Sequence, residues 1–486
     1  MKKILLFLLL IIFSNANCQQ PAIRIGNLST PVSIFRIVIP STGNEKHIKA
    51  AREIQKYIES STGYMIGMIA DTIRKTPAEI IIGECKGRTI PLNFRELEPD
   101  EFAISVTRDR ILVMGGSDKG LLYGVYDLLE RYFGCGFFAP GIEEVLKKTE
   151  VSIPELNYRS KPAFLSREVY YAGMADQDFA DKMRCDRNAW KGSEDWGMWV
   201  HTMFSLVPPE KYFDTHPEYY ALMAGKRGKT QLCLTNPDVL RIIIEELGKK
   251  MKEKPGAKYW SVSQMDTYGW CGCDECKKID DREGSPSGTM ITFVNKVAAA
   301  FPDKIISTLA YQYTRSAPEY IKPASNVNIM LCTIECDRGK PIDSDTSKGS
   351  FYADLRDWSR IANDILVWDY VIQFTNMIAP FPNFHVLQPN IKLFRKFGVK
   401  GVFEQGCHGT YSENQELRQY ILAKLLWNPD LNLDSYSAVF EAIVKGAFSH
   451  PRKGNRQARN SGTKSRHGGK QRHRQGSLSK RKIRGV

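Results

Sequence analysis

From Lys161 to Trp427 the chain repeats one unit: a short apolar, β-prone run ending in a polar or acidic residue, then a loop and an amphipathic helix. Strands are expected at Phe164–Tyr170, Trp199–Val207, Gln231–Thr235, Lys258–Asp266, Lys304–Tyr313, Val327–Glu335, Asp364–Tyr370 and Lys400–Glu404. Helical spacing predicts Pro237–Lys250, Ser287–Phe301, Phe351–Asn363, Val386–Phe397 and Glu413–Trp427. Several strands are near-continuous apolar runs, as strands covered on both faces must be. Eight such strands, most followed by a helix, predict a (β/α)8 TIM barrel over residues 161–447.

The stretch before it reads as a small α/β domain, residues 20–157. FRIVIP (Phe35–Pro40) and AEIIIGE (Ala78–Glu84) are strands, with a helix from His47 to Ser60 between them. Phe102–Val106 and Ile111–Met114 form a hairpin. Gly115-Gly116-Ser117 then opens a helix through Arg131, where Ser117 suits an N-cap better than a phosphate cradle.

The ends of the chain are of another kind. Residues 1–18 have a basic start, an uncharged apolar run from Ile4 to Phe13, and small residues before Cys18, the pattern of an export signal. Asn15-Ala16-Asn17 make a poor lipid-attachment site, so a secreted or periplasmic protein is expected rather than one anchored through Cys18. No other stretch is apolar enough to span a membrane. Residues 448–486 form a basic, low-complexity tail expected to be disordered: from His450 onward there are 13 Lys and Arg, no acid and no aromatic residue. This tail carries almost all of the +14 net charge, leaving 55 basic against 54 acidic side chains before it. The folded body therefore has no electrostatic case for nucleic acid. Composition changes abruptly at Phe448, as a frameshift would produce.

In such a barrel the reacting groups stand at the carboxyl ends of the strands. Asp266, Glu335, Asp369 and Glu404 end four of them. Glycoside cleavage needs one protonated and one ionised carboxyl, and crowding of like charges raises one pKa. Glu335 is expected to be the general acid and Glu404 the base or nucleophile, with Asp369 and Asp266 tuning them. Arg167 suits a carboxylated sugar such as a uronic acid. Tyr313 and Trp368 offer faces for sugar stacking, and His201, Gln405 and His408 offer polar contacts near the mouth. For each of these the bland alternative is packing or ion pairing at the barrel rim.

Cys271, Cys273 and Cys276 form a C-x-C-x-x-C cluster. With a fourth ligand it could hold structural zinc; in an exported protein disulfides compete, with Cys332 and Cys336 as further partners. No cofactor is expected to be required for catalysis.

Specific motifs resemble known families. Gly116–Gly141, GSDKGLLYGVYDLLERYFGCGFFAPG, resembles the end of the N-terminal domain of α-glucuronidases. HPEYYAL, QLCLTNPDV, SQMDTYGWCGCDEC, STLAYQYTR, IECDRGKP, VWDY and GVFEQG together resemble a family of secreted bacterial proteins with a glycosidase-like barrel of unassigned function. The resemblance implies the two-domain layout and membership among glycoside-hydrolase barrels. It also implies that the late-strand acids Glu335, Asp369 and Glu404 stand where α-glucuronidases keep theirs. Asp266 resembles the strand-four carboxylate of β-hexosaminidase-type enzymes, although Thr267 follows it in place of their second acid. The expected function is a secreted glycoside hydrolase acting on a poly- or oligosaccharide. Its rivals are a carbohydrate-binding barrel without catalysis and a zinc hydrolase at the cysteine cluster.

Overall fold

FRIVI (Phe35–Ile39) sits near one edge of a six-stranded sheet whose order is 156–160, 102–107, 110–115, 78–82, 35–39, 67–70. The structure, a computed structural model, describes residues 20–186 and 195–434. The expected export segment and basic tail lie outside the described residues. The helix Glu45–Thr62 starts where Asn44 Oδ1 accepts from the backbone of Lys46 and His47, and stops at Gly63, whose φ of 76° favours glycine. Ala51, Ile54, Tyr57 and Ile58 form its buried face. The second helix, Asp118–Tyr132, is capped by Ser117, whose hydroxyl accepts from Gly120. A Cβ at Gly116 would lie 1.9 Å from the Glu98 carbonyl oxygen. The Gly-Gly-Ser turn is therefore packed against backbone and serves as a helix cap.

The second sheet has seven strands, all parallel: β1 (Ser166–Tyr170), β2 (Trp196–Met198), β3 (Tyr259–Ser261), β4 (Ile305–Ala310), β5 (Val327–Cys332), β6 (Asp364–Tyr370) and β7 (Gly401–Gln405). Its order is β1-β7-β6-β5-β4-β3-β2. Each strand from β2 onward pairs with its successor, and β7 returns to β1, which is the cyclic order of a barrel. Among the described residues β1 and β2 do not pair. The sheet is nevertheless strongly curled. Trp196, Leu309, Tyr311, Met330, Leu366, Trp368 and Phe403, drawn from β2 and from β4 through β7, share one interior cluster. Trp199, just beyond β2, has its ring 5.7 Å from Phe403 and 5.9 Å from Trp368. A flat sheet could not bring the far edge over β6 and β7.

Two expected strands differ. The second, expected at Trp199–Val207, is Trp196–Met198, and Met203–Leu206 is helical. His201 has a φ of 56°, which ends extended structure before the apolar run begins. The third, Gln231–Thr235, is absent from the parallel sheet. Residues 220–223 and 226–232 form an antiparallel hairpin instead, and β2 pairs directly with β3. The described parallel sheet is therefore a curled half-barrel of seven strands where a barrel of eight is expected. The expected helices are present at Pro237–Glu253, Ser287–Ala299, Phe351–Ile361, Phe384–Lys396 and Gln415–Trp427.

Arg167 corrects a third expectation. On β1 it is fully buried, and its guanidinium donates to Asp100 (2.7 Å) and to the Phe164, Leu165 and Arg184 carbonyls. It joins the two sheets and cannot reach a substrate. Lys424 and Arg184 both pair with Glu130 in the same seam, and Trp427 stacks on Phe102.

No described helix is long and apolar enough to cross a membrane.

Candidate active site

Side chains alternate faces along a strand, so the interior cluster decides which acids face inward. On β6, Leu366, Trp368 and Tyr370 line the interior, which turns Asp369 outward. On β7, Phe403 faces inward and Gln405 accepts from the inward Trp368 Nε1 at 2.6 Å, which turns Glu404 outward. Asp369 and Glu404 are cross-strand partners, and both are buried behind the sheet. Thr333 donates to Asp369 Oδ1 at 2.7 Å. Burial pushes the Asp369 carboxyl up to about 6. Glu404 is wholly buried, and neither carboxylate oxygen has a hydrogen-bond partner among the described residues. Burial and then the neighbouring Asp369 charge push it well above the usual carboxylate range.

The other two acids are at the mouth. Asp266 follows β3, is exposed, and accepts from the Tyr311 hydroxyl at 2.9 Å. Glu335 follows β5, and Arg315 lies 3.3 Å from it while also pairing with Asp354 at 2.6 Å. Burial first, and the Glu335 and Asp266 charges after it, push the Cys332 thiol well above its usual range. The expected pairing of Glu335 with Glu404 is therefore not made at one face. Asp266 and Glu335 each follow the carboxyl end of a strand, β3 and β5, while Asp369 and Glu404 share the space behind the sheet.

The polar and aromatic candidates divide in the same way. His201 Nδ1 lies 2.7 Å from the Gln264 carbonyl, which can only accept, so Nδ1 carries a proton. The His201 ring faces Tyr311 at 6.0 Å. His408 stacks on Tyr170 at 4.6 Å, and Trp368 lies against Trp199, Tyr370 and Phe403. Trp199 Nε1 is a buried donor without a partner among the described residues. Tyr313 stacks on the exposed Trp270 at 5.1 Å.

Beside the mouth a cavity of about 340 Å³ is lined by Cys336, Arg338, Gln373, Phe381 and Asn383. Arg338 lies over the Tyr370 and Phe374 rings, and its Nε has no partner among the described residues. A larger cleft of about 650 Å³ is on the N-terminal sheet. Of its ionic groups, Arg88 pairs with Glu79, and Asp71 accepts from the backbone of Ser41 and Lys86; Glu84, Lys86 and Arg95 also line it.

The three clustered cysteines are joined by a fourth, Cys233 at the end of the hairpin. No two described cysteines are bonded to each other. Cys233, Arg315, Arg338 and Tyr370 were not singled out from sequence. Only Cys233 carried a signal there, as a cysteine in need of a partner.

Residues 137–450 match the family model described as Domain of unknown function (DUF4838), and residues 28–128 match Glycosyl hydrolase family 67 N-terminus. No curated protein matches the chain. Among solved structures it is similar to a GH138 enzyme targeting pectin rhamnogalacturonan II, at 10% identity and a TM-score of 0.40 over 86% of this chain and 53% of that one. It is similar to the Flavobacterium johnsoniae chitobiase FjGH20 at 11% identity and a TM-score of 0.49, covering 87% of this chain and 69% of that one. It is also similar to the β-N-acetylhexosaminidase of Bacteroides fragilis NCTC 9343 at 11% and 0.49, covering 86% and 92%. The chain spans about half the length of the GH138 enzyme.

Proposed function

The chain belongs to the family described as Domain of unknown function (DUF4838) and carries an N-terminal glycosyl hydrolase family 67 segment; from that premise we propose that it is an exported glycoside hydrolase. Residues 20–157 and 161–447 are its two domains, and its substrate is a poly- or oligosaccharide bound at the barrel mouth. The observation that carries this reading is the position of Asp266 and Glu335, each just past the carboxyl end of a parallel strand, β3 and β5, whose sheet encloses an interior of Trp199, Trp368 and Phe403. Two carboxyls over an aromatic floor are the minimum for cleaving a glycosidic bond. Sugar rings present apolar faces to the indoles, and Trp199 Nε1 offers a donor to a hydroxyl.

Asp266, held by the Tyr311 hydroxyl, is one reacting carboxyl. Glu335, reached from Arg315, is the second reacting carboxyl. Asp369 and Glu404 support the strand ends and do not touch the sugar. If the substrate is a uronic acid, Arg338 rather than the buried Arg167 meets its carboxylate, because its Nε has no partner among the described residues and it borders the cavity beside the mouth.

The second reading, a sugar-binding barrel without catalysis, is favoured by one observation. Each mouth carboxyl already has a partner, Tyr311 or Arg315. Screening the full chain against plant and host glycans separates the two. Release of reducing ends that is lost in Asp266→Asn and Glu335→Gln supports hydrolysis. Saturable binding without release supports the second reading, and neither binding nor release refutes both.

A further inference from the structure

The Sγ atoms of Cys233, Cys271, Cys273 and Cys276 all lie within 4.8 Å of one another. Cys233 and Cys273 are 3.7 Å apart. Four thiolates around zinc at a bond length of about 2.3 Å place their sulfurs about 3.8 Å apart. A disulfide requires about 2.05 Å. The spacing is therefore that of a tetrahedral ligand set. Cys233, Cys271 and Cys276 are buried, and Cys273 is partly exposed, which leaves a way in for an ion.

The surroundings suit four thiolates. The Leu222 backbone N–H donates to Cys271 Sγ at 3.3 Å, and Arg227 donates to the same sulfur at 3.7 Å. The Thr235 hydroxyl lies 3.2 Å from Cys276 Sγ and 3.7 Å from Cys273 Sγ. The helix Asp274–Glu283 begins directly after Cys273, so its amino end faces the cluster. Donors to the sulfurs and a nearby cation offset the net negative charge of a zinc tetrathiolate.

We propose that these four cysteines bind one zinc ion as a closed structural site. Four protein ligands leave no open position, so the ion does no hydrolysis here. Its work is to fasten the hairpin 220–232 to the loop that carries Asp266, Tyr268 and Trp270. The same two segments are already laced together. Gln231 Nε2 donates to the Met265 and Thr267 carbonyls at 2.9 and 2.6 Å, Thr230 donates to the Gly269 carbonyl, and the Gly272 N–H donates to the Leu222 carbonyl at 2.8 Å. Zinc would thus hold Asp266 at the mouth from a distance. The ligand set alone carries this proposal, whether or not the barrel cleaves glycans.

The full chain, purified without metal-affinity resin, should contain roughly one zinc per molecule by elemental analysis. Replacement by Co²⁺ should produce thiolate-to-cobalt charge-transfer absorption and the visible bands of a tetrahedral site. Cys233→Ser and Cys276→Ser should lose the metal. Because either variant can fail to fold, the wild-type chain is also alkylated with and without chelator. Protection of these four cysteines that chelator removes supports the site. Absence of metal together with two disulfides among the four, or four thiols that react equally with and without chelator, overturns it.

Discussion

Asp369 on β6 and Glu404 on β7 are cross-strand partners whose carboxyls are buried on the side of the sheet away from the aromatic interior. Two acids in one apolar space cannot both ionise cheaply. Burial pushes Asp369 from 3.8 up to about 6, and burial together with the Asp369 charge raises Glu404 well above the usual carboxylate range. The folded state therefore holds more protons than the unfolded state between pH 4 and 6. The stability from Asp369 is fully present below about pH 4 and is lost as pH rises through about 6, a change of about 3 kcal/mol. Urea unfolding from pH 4 to 8 should show this decline in the wild type and a flatter curve in Asp369→Asn. Equal slopes in the two proteins would sink the assignment.

Asp266→Asn and Glu335→Gln should each lower kcat on the cleaved glycan by about 10²–10⁴-fold, the range for removing a catalytic carboxyl, with sugar binding retained. Tyr311→Phe removes one hydrogen bond to Asp266 and should cost less than either. Steady-state kinetics reads all three, and undiminished turnover in Asp266→Asn would move the chemistry elsewhere.

Arg167→Ala should act on folding and leave the sugar alone. It strips a buried guanidinium from Asp100 and from three carbonyls between the sheets. Breaking a buried ion pair from one side costs about 3–5 kcal/mol. The expected result is a large fall in Tm with KM unchanged in whatever fraction stays folded. A selective loss of affinity for uronic acids, with normal Tm, would restore the sugar-binding role.

Trp270 is 42% exposed and stacks on Tyr313. Trp270→Ala should lower stability by about 2 kcal/mol, because more than half of the residue is covered. If the cysteine-fastened loop borders the glycan, the same substitution should weaken sugar binding by about 1 kcal/mol or more in titration calorimetry.

Much of the secondary structure was legible because it is local. The Asn44 and Ser117 caps, Gly63, and the helical spacing of Ile54, Tyr57 and Ile58 act within a few residues of one another. Gln231–Thr235 misled for the opposite reason. Its apolar character is spent on a hairpin and on Cys233, and nothing within those residues says which sheet they join.

By itself the sequence settled the recurrence of β-strand and helix, the apolar strands covered on both sides, and the acids at their ends. Only the tertiary structure decided which of those acids share a space. Along a strand a single step reverses the side on which a group emerges. Trp368 and Gln405 thus enter the barrel, while Asp369 and Glu404, one bond along the chain, leave it. Cys233 likewise reaches Cys271 through the curl of the sheet and the hairpin, contacts between distant residues that no local pattern encodes.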